Sequence, residues 1–228
     1  MSTNHKSPGI SNTLQNVLLF IAGVILTIIL LILELQTWLV FVIILGLSFS
    51  IFTIRPMYLI YKSKSLPAID RYVIKNRKKP MFGNAYALAH GDNRDIEDSL
   101  RRILKKYKQK EMQIIYGANL ALHQNDADAI FNFAEKMTRK DYKEYYLGAA
   151  HVLKGDEEEA KRLLAKLSTP WMIHSSNASI ALSKKDKETF RSEADQSKES
   201  AAGLQRYTLH HMFERLEAEN FPQIKMGV

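Results

Sequence analysis

The chain has 228 residues, of which 46% are hydrophobic and 25% are charged, and its formal net charge is +8. This length allows one ordinary domain together with additional segments, or two very small domains. The sequence contains no cysteine, which excludes disulfide bonds, thiolate catalysis and cysteine-ligated zinc.

Two uncharged apolar stretches dominate the first quarter of the chain. Residues 17–33 and 38–54 are each 17 residues long, and each would extend about 26 Å as an α-helix, close to the roughly 30 Å hydrocarbon core of a bilayer. A cleaved signal peptide is the alternative, but the first stretch is longer than a signal-peptide core and a second follows it closely. The sequence therefore predicts two transmembrane helices within residues 14–55, after a flexible tail of residues 1–13.

Basic residues concentrate directly after these stretches. Residues 55–80 contain eight basic side chains against one acidic side chain. By the positive-inside rule this segment lies in the cytoplasm, which predicts a two-span integral membrane protein of the cell membrane with both termini cytoplasmic. The linker of residues 56–80 either lies as a helix on anionic lipid headgroups or packs on the following domain. The predicted membrane-surface residues are Arg55, Lys62, Lys64, Arg71, Lys75, Arg77, Lys78 and Lys79.

The remainder of the chain is nearly neutral. Residues 81–228 contain 23 basic and 22 acidic side chains. Nucleic-acid binding requires a basic face on the folded domain itself, so no nucleic-acid partner is predicted.

Four segments after residue 80 repeat one pattern. Each has an Ala-rich or Leu-rich helical stretch, a polar break that ends in Asp, and a second amphipathic stretch, and the aspartates are spaced by 34, 30 and 30 residues. This period predicts helical hairpins that must stack, because none can bury its apolar face alone. The break aspartates, which we expect to cap the second helices, are Asp92, Asp126, Asp156 and Asp186.

The residue before each break aspartate predicts the geometry of the turn. Gly91 and Gly155 can adopt a left-handed conformation that ends the first helix at no steric cost. Asn125 and Lys185 occupy the equivalent positions in the other two segments, which predicts less ideal turns there.

The third segment has the most complete pattern, formed by Leu147, Gly148, Gly155, Asp156, Ala160, Leu164 and Leu167. On these residues the chain resembles the tetratricopeptide repeats, over roughly residues 81–200, although the family's large aromatic and closing proline are mostly missing. The predicted fold class is thus all-α, with a transmembrane helical hairpin followed by a tetratricopeptide-like solenoid over residues 81–220. An apolar run from Leu204 to Leu216 predicts a capping helix, and residues 221–228 are a predicted tail.

The resemblance implies a concave face, lined by the first helix of each hairpin, that binds a segment of a partner protein. Four apolar residues lie deeper on the same face: Leu88, Leu122, Val152 and Leu182. The residues that this face would present to a partner are Asn119, Tyr142, Tyr145, Ser175 and Ser179.

Sites for chemistry are not evident in the sequence. His210 and Glu214 are four residues apart on the last predicted helix, a spacing that suits a metal ion, but no motif supplies a third ligand. They are interpreted as a surface pair, and we predict no metal, no cofactor and no catalytic residue. The chain is not expected to be an enzyme.

These features predict a membrane-anchored adaptor whose cytoplasmic repeat domain binds partner proteins at the membrane surface. The alternative is an accessory or regulatory subunit of a membrane enzyme or transporter, bound through the transmembrane hairpin. The sequence predicts neither the identity of the partner nor the oligomeric state.

Overall fold

The computed structural model describes residues 12–33 and 36–222, with side chains from residue 20 onward except at 31 and 52. Every regular element in this part is helical, so the predicted all-α class is confirmed. Contacts divide the chain into two compact units, residues 1–57 and 58–228. Of the predicted flexible tails 1–13 and 221–228, residues 1–11 and 223–228 lie outside the described part.

The first unit contains the apolar helices α1 (Asn12–Ile32) and α2 (Thr37–Phe49). A π-helical turn (Ser50–Ile54) then leads into α3 (Arg55–Tyr61), which runs across the boundary between the units. The α-helical part of the second apolar stretch is therefore shorter than the sequence pattern suggests.

No helix in the described part is both long enough and apolar enough to cross a membrane. α2 has 13 residues, about 20 Å at 1.5 Å per residue, whereas the hydrocarbon core of a bilayer is roughly 30 Å thick. The predicted transmembrane hairpin of residues 14–55 is therefore wrong, and so is the localisation as a two-span integral membrane protein with cytoplasmic termini.

The second unit is a series of helices that pack against their neighbours in chain order. The first hairpin pairs α5 with α6, and the following hairpins pair α7 with α8, α9 with α10 and α11 with α12. The helices are α4 (Leu66–Asn76), α5 (Pro80–His90), α6 (Asn93–Lys106), α7 (Lys110–His123), α8 (Ala127–Ala134), α9 (Lys140–Leu153), α10 (Glu157–Leu164), α11 (Pro170–Ser183), α12 (Lys187–Ser200) and α13 (Gly203–Asn220).

The four break aspartates cap the second helices, as predicted. Each carboxylate accepts a hydrogen bond from the backbone N–H three residues later, over 2.8 Å at Asp92, 2.9 Å at Asp126, 3.2 Å at Asp156 and 3.1 Å at Asp186. A cap of this kind contributes about 1 kcal/mol to the stability of the helix that it begins. The repeated pattern thus marks where each second helix starts.

The turns follow the predicted geometry in part. Gly155 has a positive φ of 77°, as expected, and Asn125 and Lys185 adopt the same left-handed conformation at 55° and 58°. Gly91 has an extended backbone instead, with φ −95° and ψ −178°. The left-handed prediction is wrong at Gly91, because the chain enters α6 directly through a reciprocal cap in which Asp92 and Asp95 each accept the other's backbone N–H.

Small side chains allow the hairpins to pack closely. Ala118 on α7, Ala134 on α8 and Ala150 on α9 are fully buried, and Ile130 of α8 lies in the same apolar cluster. α9 also packs on α11 and α7, so first helices of successive hairpins contact each other. Successive hairpins therefore pack on one another, and the structure is an all-helical, repeat-like fold.

The last helix, α13, packs on both ends of the repeat array. Leu209 and Phe213 join the cluster formed by α11 and α12, where the Phe213 and Phe190 rings meet edge to face with centroids 5.9 Å apart. Tyr207 joins Val73 of α4 in a second cluster that also includes α5. The predicted capping helix is present, and it also contacts the first helices of the array.

Candidate functional site

The five residues of the predicted groove lie on three successive first helices. Asn119 is on α7, Tyr142 and Tyr145 are on α9, and Ser175 and Ser179 are on α11. Ser175 is buried and the other four are half-buried, as are the apolar residues predicted to lie deeper, Leu88, Leu122, Val152 and Leu182.

Hydrogen bonds within and between helices occupy most of the polar groups of this row. The Tyr145 hydroxyl lies 3.0 Å from the Ser175 hydroxyl, and the Ser179 hydroxyl donates to the Ser175 carbonyl over 3.0 Å. Asn119 accepts a hydrogen bond of 2.6 Å from the hydroxyl of Tyr146, which the sequence prediction did not include. These groups hold α7, α9 and α11 together.

Burial keeps the central tyrosines of the row neutral. It raises the pKa of Tyr145 and, more strongly, that of Tyr146 above the ordinary value for a tyrosine hydroxyl. The Tyr142 ring instead meets a cation, because the Arg139 guanidinium lies 4.3 Å from its centroid. Tyr142 therefore lies at the edge of the row where charged side chains begin.

The predicted membrane-surface residues are all exposed, and most surround α4. Arg71 and Lys75 lie on α4 itself, whose buried face packs through Ile69 and Val73 on α5 and α13. Of the two placements left open for this segment, packing on the following domain is the one observed. The remaining residues are Arg55 on α3, Lys62 and Lys64 between α3 and α4, and Arg77, Lys78 and Lys79 between α4 and α5.

The hairpins have two distinct edges. Because successive helices are antiparallel, the turns within hairpins lie at one edge, and the linkers between hairpins lie at the other, where α5, α7, α9 and α11 begin. Side-chain contacts fit this arrangement: Ser168 and Thr169 of one linker donate to Asp141 at the start of α9, over 2.7 and 2.5 Å. We call these the turn edge and the linker edge.

The linker edge carries exposed cations without ion-pair partners. Residues 101–111 contain six basic side chains and one acidic side chain. Within the described part of the chain, ten exposed basic residues at this edge have no carboxylate within ion-pair distance. These residues, the basic edge, are Lys78, Lys79, Arg102, Lys105, Lys106, Lys108, Lys110, Lys136, Arg139 and Lys140.

The turn edge differs in its charges. It carries the capping aspartates, and two lysines there are paired across hairpins: Lys154 with Asp128 at 2.7 Å and Lys184 with Glu157 at 2.5 Å. The sequence prediction missed the basic edge because it summed charge over residues 81–228, where the two edges nearly cancel. Counting charges separately at the turns and at the linkers would have revealed it.

The pair of His210 and Glu214 predicted on the last helix gains a third member, His211. His210 Nε2 lies 3.3 Å from one Glu214 oxygen, and His211 Nδ1 lies 3.3 Å from the other. Burial lowers the pKa of His211, and the neighbouring His210 lowers it further. Next to His211 is His90, whose Nε2 lies 3.1 Å from Asp70 Oδ1, with 6.3 Å between the two imidazole centroids.

Two cavities of about 160 Å³ each are lined largely by α12 and α13. Side chains of both charges, including Asp195, Lys198 and Glu214, border them, and the predicted groove residues do not. Neither cavity therefore belongs to the row of first helices.

Comparison with known proteins adds no relative: no protein-family model, no curated protein and no solved structure matches the chain. The resemblance to tetratricopeptide repeats therefore rests on two observations, the sequence pattern and the repeat-like helical fold of residues 58–222.

Proposed function

We propose that residues 58–222 form a protein-interaction module that binds an acidic segment of a partner protein along the basic edge. The observation that carries this proposal is the set of ten exposed cations without ion-pair partners in the described part of the chain, gathered by the hairpin topology onto one edge. An acidic segment would neutralise charges that otherwise repel one another. Adaptor proteins of the tetratricopeptide type, which the sequence resembles, bind partner segments, and this supports the same class of function.

Several cations of the basic edge stand where the fold itself disfavours them. Lys110 and Lys140 are the first residues of α7 and α9, and Lys79 precedes α5 as its N-cap residue. The helix macrodipole places partial positive charge at a helix N-terminus, so a cation there is unfavourable by about 0.3–1 kcal/mol. Folding does not account for these lysines, and binding of an anionic partner does.

The first unit offers a second surface consistent with an adaptor. Among its described residues, Phe20, Trp38 and Phe41 are exposed to 74%, 61% and 68%. Large exposed apolar side chains commonly mark contact sites for partners. A module with a charged edge and a separate apolar unit is suited to bringing two partners together.

Fluorescence anisotropy of a labelled oligo-glutamate peptide, titrated with the full 228-residue chain, tests the proposal. The variant Lys105→Glu/Lys106→Glu reverses two charges on the basic edge, and Lys185→Glu/Lys187→Glu makes the same change in net charge at the turn edge. An exposed ion pair contributes about 0.2–1 kcal/mol, and two reversals remove two attractions and add two repulsions. We expect a loss of about 1–3 kcal/mol, a roughly fivefold to 150-fold rise in Kd, for the first variant alone.

Three outcomes would overturn this assignment. Equal losses in the two variants would show that net charge, and not the basic edge, governs binding. Equally tight binding of an uncharged oligo-glutamine peptide would show that charge does not govern binding at all. Preferential binding of phosphatidylserine vesicles or of single-stranded RNA, with the peptide bound weakly, would assign the edge to a lipid surface or a nucleic acid instead.

A further inference from the structure

We propose that His210, His211 and Glu214 on α13 form a binding site for a divalent transition-metal ion, with Zn²⁺ as the best-fitting candidate. This site is independent of the basic edge, because the three residues lie on the last helix. All three ligand atoms lie within 4.8 Å of one another.

The two histidine–glutamate distances match the spacing of neighbouring ligands in a zinc site. With Zn–N of about 2.0–2.1 Å and Zn–O of about 2.0–2.2 Å, neighbouring ligand atoms of a tetrahedral site are about 3.3–3.5 Å apart. Each imidazole nitrogen lies 3.3 Å from an oxygen of the Glu214 carboxylate. Because the ligand atoms are spaced by up to 4.8 Å, the side chains must move closer together to hold one ion between the three groups.

The helix presents these ligands in a fixed arrangement. Glu214 follows His210 by four residues and His211 by three, so its carboxylate lies one turn from both histidines. Tyr207, Leu209 and Phe213 of the same helix are buried and anchor α13 on both sides. The site is therefore built on a rigid element, which reduces the entropy lost on binding an ion.

The side chains remain accessible to an incoming ion. Their exposed fractions are 26% for His210, 20% for His211 and 57% for Glu214. In the described part of the chain, Glu214 has no ion-pair contact with Lys or Arg. A metal ion would therefore not have to displace a lysine or an arginine.

The donor set selects the class of metal. Two imidazole nitrogens and one carboxylate suit Zn²⁺, Cu²⁺ or Ni²⁺, whereas Mg²⁺ and Ca²⁺ require mainly oxygen ligands. Three protein ligands leave a fourth position for water or another group. The nearby carboxylate of Asp70, held between His90 and Tyr207, adds negative charge that favours a cation.

Isothermal titration calorimetry with Zn²⁺ on the full chain tests the site. We expect one ion per chain for the wild type. The variants His211→Gln and Glu214→Gln each remove one ligand with little change in shape, and loss of an outer-shell partner alone typically weakens a metal by about 10- to 100-fold. We therefore expect at least a tenfold rise in Kd for each variant.

The matched control is His174→Gln, which removes a histidine paired with Glu193 at 2.8 Å but without a second histidine beside it. This variant should bind Zn²⁺ like the wild type. An unchanged Kd in both ligand variants, or an equal loss in the control, would overturn the proposal.

A measurement on the wild type covers the case in which a ligand variant does not fold. Zn²⁺ should protect His210 and His211 from diethyl pyrocarbonate, read by peptide mass spectrometry, while His123 and His174 stay reactive. Uniform protection of all four histidines, or none, would contradict a site at this position.

Discussion

Gly203, the first residue of α13, is predicted to tolerate no side chain. Its φ is +58°, and a Cβ added there would lie 1.8 Å from the Ile60 carbonyl oxygen and 2.7 Å from the Tyr61 nitrogen. Its own N–H donates to the Ser63 carbonyl over 2.7 Å. The start of α13 is thus held directly against the backbone of the segment before α4, so Gly203→Ala must displace one of the two.

The magnitude follows from a comparison with Gly155, which has φ +77° and open space around its missing Cβ. The left-handed conformation costs an alanine about 1–2 kcal/mol, partly offset by about 0.4–1 kcal/mol from the reduced entropy of the unfolded chain. Gly155→Ala should therefore cost about 1 kcal/mol. Gly203→Ala adds overpacking of typically 1–3 kcal/mol, which gives a total of about 3 kcal/mol.

Urea unfolding of the full chain, followed by circular dichroism, measures both variants. The midpoint should fall further for Gly203→Ala than for Gly155→Ala, with an unchanged m-value in each. Equal costs in the two variants would refute the close approach of α13 to the segment before α4.

Three other predictions concern single side chains. Lys185 has a left-handed backbone conformation, which is strained for any residue with a side chain. Lys185→Gly removes this strain and should raise the unfolding free energy by about 0.5–1 kcal/mol in the same urea assay. Tyr207→Phe removes a buried hydroxyl that donates to Asp70 over 2.7 Å and should lower the unfolding free energy by about 1.5–3 kcal/mol. The hydrogen bond from Thr169 holds the pKa of Asp141 below its ordinary value, so its stabilisation is complete above about pH 3.9 and is lost as pH falls through the lowered pKa. In unfolding at a series of pH values, the wild type's advantage over Asp141→Asn should therefore be constant near neutral pH and disappear in acid.

The local features of the repeat array could be predicted from the sequence because they depend on neighbouring residues. A capping aspartate contacts a backbone N–H three positions later, so the polar breaks identified all four caps. The turn at Gly91 was mispredicted because the Asp95 carboxylate accepts the backbone N–H of Asp92, so the chain enters α6 directly from an extended Gly91. The competing interaction at this turn is also local. An acidic residue three positions after Asp92 is the sequence pattern of a reciprocal cap, so this cap could have been predicted from the sequence.

Features that depend on distant residues could not be predicted in this way. The return of α13 to the start of the array relies on contacts such as that of Tyr207 with Asp70, 137 positions apart in the chain. Hydropathy also failed in the first unit, because apolar composition does not fix how far an α-helix continues. The second apolar stretch leaves α-helical geometry at Ser50, well before its apolar run ends.

The two edges of the hairpins explain why a nearly neutral domain can present a strongly charged surface. At the turn edge the capping aspartates satisfy helix N-termini, so acidic charge there is a consequence of folding. At the linker edge the C-termini of second helices favour cations, but the N-termini of the following first helices disfavour them, and these effects should largely cancel. Residues 101–111 nevertheless carry six basic side chains against one acidic side chain. Lys105 and Lys106 lie in the last turn of α6, where the macrodipole favours cations by about 0.3–1 kcal/mol each. Charge reversal at these two residues should therefore weaken binding of an acidic peptide and also lower the unfolding free energy by about 1–2 kcal/mol.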